Sequence, residues 1–330
     1  MKKTVFIFSD GELQRKDNTL CFESEKGKKY IPVENVGELM LFGEVTVNKR
    51  FLEFASQAEI ILHYFNHYGY YVGSFYPREH LNSGFMILKQ AEHYLDSTKR
   101  LALAKKFVSG AVDNIRKVLE YYQNRGKAVG ESLENIKTLR ERGERAKEVD
   151  ELMAIEGNVR DYYYQTFDSI IENPLFAFQE RTRRPPKNQI NTLISFGNSI
   201  LYTVVLSEIY KTHLDPRIGY LHSTNFRRFT LNLDVAEIFK PIIVDRVIFT
   251  LTNKGMIKAS HFEKKVKGMT LNEKGRELFI TELDERLKTT VQHRNLGRSV
   301  SYRRLIRLEL YKLEKHLLEE AEYQPFVSGW

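Results

Sequence analysis

Residues 4–75 carry short runs of β-branched and aromatic residues, whereas most of the chain beyond them repeats its apolar residues every three or four positions. Thr4 to Phe8 and Thr19 to Glu23 read as strands joined across a turn region containing Ser9-Asp10-Gly11. Lys29 to Val33, Glu38 to Phe42, Val45 to Val47, Glu59 to Tyr64 and Tyr70 to Phe75 continue the series, with Gly69 as punctuation and Phe51 to Gln57 as a short helix. Strands this short and closely spaced predict a small antiparallel sandwich. Pro77 to Gly84 is polar, contains Pro and Gly, and has no apolar period, so it reads as a linker. The expected class is therefore α+β: an N-terminal antiparallel β domain over 1–84, then a larger all-α-helical domain over 85–330.

Ala91 to Lys106, Ala111 to Gln123 and Leu133 to Lys147 have helical spacing, and the third is charged enough to lie exposed. Glu151 to Ile171 and Gln189 to His213 follow, the latter entered after Pro185-Pro186. Leu231 to Phe239 begins another helix, which Pro241 either ends or kinks. Thr270 to Gly275 reads as part of a hairpin or turn. Helices over Glu277 to His293 and Ser299 to Ala321 complete the pattern, and the terminal Gly-Trp reads as a mobile end or a small contact.

Composition narrows the function. A chain of 330 residues with 42% hydrophobic and 28% charged residues has the make-up of an ordinary soluble globular protein. Cys21 has no second cysteine to bridge, which favours a reducing, cytoplasmic compartment. The N-terminal apolar stretch meets Asp10 too early for a signal peptide. Leu193 to Leu206 is too short to span a bilayer and reads as a buried helix. A net charge of +8 favours a polyanionic partner. Two basic stretches concentrate it. Arg181, Arg183, Arg184 and Lys187 flank two prolines, and Arg294, Arg298, Arg303, Arg304 and Arg307 lie in a run, Gln292 to Arg307, without an acid.

Four residues stand out as candidate chemistry: Glu156 in LMAIEGNVRDYYY, His222 in GYLHSTNFRR, and Asp234 with Glu237 in LNLDVAEIFKP. Asp234 and Glu237 lie three apart on an expected helix and share a face, where they repel unless a cation intervenes. The plainer reading makes Asp234 a helix-start carboxylate and Glu237 a solvated one. His222, between an apolar and a polar segment, is either a hydrogen-bonded boundary residue or a neutral imidazole ligand. Glu156 is either an exposed helical glutamate or a ligand whose neighbour Gly157 leaves room for DNA or another helix. If the segments converge, they offer the oxygen and nitrogen donors of a Mn²⁺ or Mg²⁺ site. No HExxH, paired CxxC, Walker-type loop or GxGxxG is present. Tyr162, Tyr163 and Tyr164 read as packing groups rather than nucleophiles.

The segments IEGNVRDYYYQTF, RRPPKNQINTLISFGNSILY and GYLHSTNFRRFTLNLDVAEIFKPIIVDRVIF, in this order, resemble the CRISPR-associated adaptation integrases, the first-numbered of the CRISPR-associated proteins. The resemblance covers both expected domains. It implies a metal-dependent DNA endonuclease and integrase that inserts short pieces of foreign DNA into the CRISPR array, a 3′-hydroxyl attacking a phosphodiester directly. It implies Glu156, His222 and Glu237 as metal ligands, with Glu237 standing where many members have Asp. Asp234 matches a neighbouring family acid in a supporting or alternative-ligand role, and Lys240 matches a basic position suited to a phosphate. The family is commonly Glu-Pro-rich after the histidine, and this chain has STNFRRF there. Arg181, Arg183, Arg184 and Lys187 are candidate phosphate contacts that would position DNA without reading its sequence. The resemblance further implies a homodimer through the β domains and a small second CRISPR-associated protein as bridge. A non-catalytic DNA-binding scaffold and a branched-DNA repair nuclease are the rival readings.

Overall fold

The computed structural model describes residues 2–77, 81, 83–224, 229–293 and 297–329, with backbone only at His293. The chain forms two compact units, Met1–His80 and Leu81–Trp330. Much of the expected linker, residues 78–80 and 82, lies outside the described residues, as do Arg294, Phe226, Arg227, Arg228 and Trp330.

The first unit contains β1 (Lys3–Ile7), β2 (Gly11–Lys16), β3 (Thr19–Ser24), β4 (Gly27–Pro32), β5 (Val36–Leu41), β6 (Val45–Val47), α1 (Lys49–Gln57), β7 (Ile61–Phe65) and β8 (Tyr71–Phe75). They build two four-stranded sheets, ordered β1-β5-β7-β8 and β4-β3-β2-β6. One apolar core joins them, with Leu13 and Leu20 from one sheet, Leu39 and Leu62 from the other, and Phe51 and Ala55 from α1. The sheets are mixed, which corrects the antiparallel expectation: β1 pairs with β5, β5 with β7 and β2 with β6 in parallel. The reason is topological. β1 reaches β5 only after the β2–β4 meander, and β5 reaches β7 only across α1, and such crossovers return a strand in its original direction. The unbroken buried run Leu39 to Phe42 is the signature of a strand covered on both faces.

The second unit is mainly helical: α2 (Gly84–Leu95), α3 (Ser97–Gln123), α4 (Gly130–Arg145), α5 (Val149–Gln165), α6 (Phe167–Ile171), α7 (Gln189–Ile209), α8 (Leu231–Phe239), α9 (Arg246–Asn253), α10 (Glu273–Lys288) and α11 (Tyr302–Leu317). It also contains two antiparallel hairpins, β9 (Phe262–Lys265) with β10 (Gly268–Leu271), and β11 (Thr290–His293) with β12 (Arg298–Ser301). The all-helical expectation is corrected accordingly. The helix expected to run to His293 stops at Lys288, where Thr289, Thr290 and Val291 follow one another. Three β-branched residues resist the helix and suit a strand.

α3 is the shared platform, since α5 and α8 both pack against it. α7 is long and apolar enough to cross a membrane, but 83% of its apolar window is buried inside this unit. Gly197 lets α7 approach its neighbours, because a Cβ there would stand 2.5 Å from Val244 Cγ1 and 2.7 Å from Phe279 Cζ. After α8, Pro241 has no N–H to give, and the chain widens into a π-helical turn, Pro241–Asp245, in which Asp245 N–H donates to Lys240 O at 3.1 Å.

Candidate metal centre

Glu156 lies near the middle of α5, Asp234 and Glu237 lie on α8, and His222 lies in the loop between α7 and α8. The joining residue is Arg160, one turn after Glu156 and only 4% exposed. Its Nε donates to Glu156 Oε1 at 3.0 Å, while its Nη2 donates to Glu237 Oε2 and, at 3.3 Å, to the Glu237 carbonyl. Lys240 Nζ bonds the other Glu237 oxygen, Oε1, and lies over the Tyr202 ring at 4.9 Å. Two acids separated in sequence are thus tied through one guanidinium.

Asp234 occupies a different position. Its Oδ2 accepts the N–H groups of Tyr220 at 2.5 Å and Leu221 at 3.0 Å, and its Oδ1 accepts that of His222 at 3.0 Å. The same Oδ1 lies 2.7 Å from His222 Nδ1. Gly219 makes room for this, since a Cβ there would stand 2.8 Å from Asp234 Oδ2. A carboxylate on Nδ1 favours the proton at that nitrogen in the neutral ring, which makes Nε2 the nitrogen able to accept. The Asp234 side chain is fully buried whereas that of His222 is 25% exposed, so the aspartate anchors and the imidazole faces outward.

Electrostatics connect the two halves. Burial and the neighbouring Glu237 charge push Glu156 above the ordinary carboxylate range, against the pull of Arg160. Burial acts the same way on Glu237, but Lys240, Arg160 and His222 outweigh it and hold Glu237 well below that range. Burial alone would lower the His222 pKa; the Asp234 hydrogen bond and charge reverse this and raise it, with Glu237 adding to the effect. Behind the acids, burial lifts Asp245 to about 6 despite the Arg160 charge. Glu156, Asp245 and the His222 imidazole therefore all sense Glu237.

Two carboxylates and an imidazole with a free Nε2 form the donor set of a hard or borderline divalent cation such as Mg²⁺ or Mn²⁺. Arg160 and Lys240 balance the acids in this structure. Among the described residues no three His, Cys, Asp or Glu side chains already enclose an ion-sized space. The donor chemistry fits the metal, and Glu156, His222 and Glu237 are the residues that would hold it. Arg160 was missed in the sequence, although its i,i+4 spacing from Glu156 is that of a helical ion pair.

The remaining candidates divide. Arg181 turns inward, donating to Asn191 Oδ1 at 2.8 Å and Ser195 Oγ at 3.1 Å beneath the Tyr164 ring. Arg183, Arg184 and Lys187 stay exposed. Arg303 and Arg307 of the acid-free stretch bind the buried Glu208 of α7 at 2.9 and 2.6 Å. Tyr163 and Tyr164 are buried against Phe167, as packing groups.

A protein-family model described as "CRISPR associated protein Cas1" matches residues 5–285. The chain is 66% identical over 330 residues to the CRISPR-associated endonuclease Cas1 2 of Thermodesulfovibrio yellowstonii, covering the whole of both chains. A solved structure of a CAS1 protein from Thermotoga maritima superposes with a TM-score of 0.89 at 52% identity, covering 98% of this chain and 100% of that one. A casposase bound to integration product shares the fold at 19% identity, with a TM-score of 0.88 over 100% of this chain and 94% of that one.

Proposed function

The chain belongs to the Cas1 family of CRISPR-associated proteins, and from that premise we propose that it is a metal-dependent DNA endonuclease and integrase of CRISPR adaptation. It would insert short foreign DNA fragments into the CRISPR array by transesterification, acting in the cytoplasm. The observation that carries this is the junction of Glu156 and Glu237 through Arg160, with the anchored His222 in the field of the same Glu237.

In the reaction, a DNA 3′-hydroxyl attacks a phosphodiester phosphorus, the new P–O bond forms as the old one breaks, and the displaced 3′-oxygen leaves. Mg²⁺ or Mn²⁺, when bound, supplies charge neutralisation and activates the hydroxyl. Asp234 keeps the His222 ring turned with Nε2 outward. Arg160 holds two like-charged acids at one place against their repulsion. Lys240, buried on Glu237 in the structure, is assigned to a phosphate oxygen of the bound DNA. Arg183, Arg184 and Lys187 are assigned to the DNA backbone, and Arg181 to holding their loop. The β unit is assigned to homodimerisation, with the small second CRISPR-associated protein as partner.

The test is strand transfer by the purified chain with its small partner, on short duplex DNA and a supercoiled repeat-bearing plasmid. Glu156→Ala, His222→Ala and Glu237→Ala are expected to abolish joining while DNA binding persists. Full activity in all three overturns the site.

A further inference from the structure

The β9–β10 hairpin and the Arg183–Lys187 loop come from distant parts of the chain but form one structural piece. Gly268, at the start of β10, is seated against the loop: a Cβ there would stand 2.6 Å from both Pro185 Cβ and Pro186 O. Met269 N–H donates to Pro186 O at 2.9 Å, and Thr192 Oγ1, from the first turn of α7, donates to Met269 O at 3.3 Å. Any tilt of the hairpin therefore moves the loop with it.

The charge on this piece is one-sided. Arg183, Arg184 and Lys187 on the loop, and Lys264 and Lys267 on the hairpin, are all exposed. None of the five has an acidic partner among the described residues. The neighbouring Lys265 differs, since it meets Glu263 at 2.6 Å. A face that served only solubility would mix signs, and five unmatched cations on a rigid support repel one another until an anion meets them. Between them stands Val266, fully exposed at the hairpin tip. The one ring of this piece, Phe262 at the start of β9, is turned to Phe176 at 6.2 Å between centroids, and neither 183–187 nor 263–268 contains an aromatic residue. Proteins that grip single strands rely on such rings for base stacking, so this surface is equipped for phosphates alone.

We infer that the β9–β10 hairpin and the Arg183–Lys187 loop form one ridge that grips the sugar-phosphate backbone of duplex DNA without reading its sequence. The inference rests on the proposed activity for its choice of DNA as the polyanion. Lys264 and Lys267 are the new contacts, and their exposed positions allow removal without disturbing the core.

The experiment compares the parent with a Lys264→Ala/Lys267→Ala variant by fluorescence anisotropy, on two unrelated duplexes and one single strand, between 50 and 200 mM salt. Loss of two phosphate contacts makes the log–log salt dependence shallower by about 1.8, so parent affinity falls roughly 12-fold more than variant affinity across that range. Equal effects on the two duplexes and little on the single strand are expected, with unchanged melting. An unchanged salt slope on duplex overturns the ridge and leaves the catalytic reading standing. An equal loss on single strands overturns the duplex assignment. A parent that binds no duplex at all removes the proposed function and the ridge together.

Discussion

Replacing Arg160 by Met tests how the acids are held. The side chains of Arg160 and Glu237 are each 5% exposed and that of Glu156 is 16% exposed, so the two ion pairs lie almost out of water. Methionine fills the volume but leaves Glu156 beside Glu237, with Lys240 on Glu237 as the remaining cation. Removing one partner of a buried pair costs about 3–5 kcal/mol. For a unit of this size, each 1 kcal/mol moves the melting temperature by roughly 2–4 °C, giving a fall of about 6–20 °C near neutral pH. The pH dependence gives a second check. Burial and Glu237 already raise the Glu156 pKa, and losing the guanidinium raises it further. The variant's native state therefore keeps its Glu156 proton to a higher pH than the parent's. Its deficit is largest above that pKa and shrinks as the pH falls through it. Thermal denaturation followed by circular dichroism across pH 5 to 8 measures both. A variant that melts with the parent, or a deficit independent of pH, refutes the reasoning.

Asp234→Asn places an amide where four donors converge; stability is expected to drop by at least about 2 kcal/mol, and the His222 titration, followed by NMR, to move down from its raised position. An unchanged His222 titration would sink the anchoring role. Asp245 has a native pKa near 6 against an ordinary value of about 3.9 in the unfolded chain; the fold is thus penalised as pH rises from one to the other, and Asp245→Asn is expected to flatten that part of the stability curve in urea titrations. A curve as steep as the parent's would contradict it. Gly157 has open space where a Cβ would stand, so Gly157→Ala is expected to raise stability by up to about 1 kcal/mol. Weaker DNA binding by the same variant would show that DNA comes close to this turn, and a lower melting temperature would show that the space is not free.

Much of this architecture was readable from periodicity and local chemistry. α7 was visible as an apolar run after two prolines, and α8 as a short helix checked by Pro241. The i,i+3 spacing of Asp234 and Glu237 did put them on one helix. It did not reveal that one acid would serve a loop and the other a guanidinium, because those partners arrive through tertiary packing. The same limit applies to the acid-free stretch, where the balancing Glu208 lies 95 residues from Arg303 and no local window contains both. Parallel pairing in the first unit escaped for a related reason. Strand residues record which faces are covered, whereas direction depends on what the intervening chain does.

The wide turn at Pro241–Asp245 works as a phase shifter in a rod that would otherwise run on from α8 into α9. One additional residue in a turn rotates everything beyond it by about 100° relative to an uninterrupted α-helix. Glu237, before the shift, meets Arg160 and Lys240; Phe249, after it, meets Tyr122 at 5.3 Å and Phe167 at 4.8 Å between ring centroids. Deleting a single residue from this turn would restore a regular helix and ruin one of the two faces. The helix pair therefore tolerates substitution along its length far better than any change in its length.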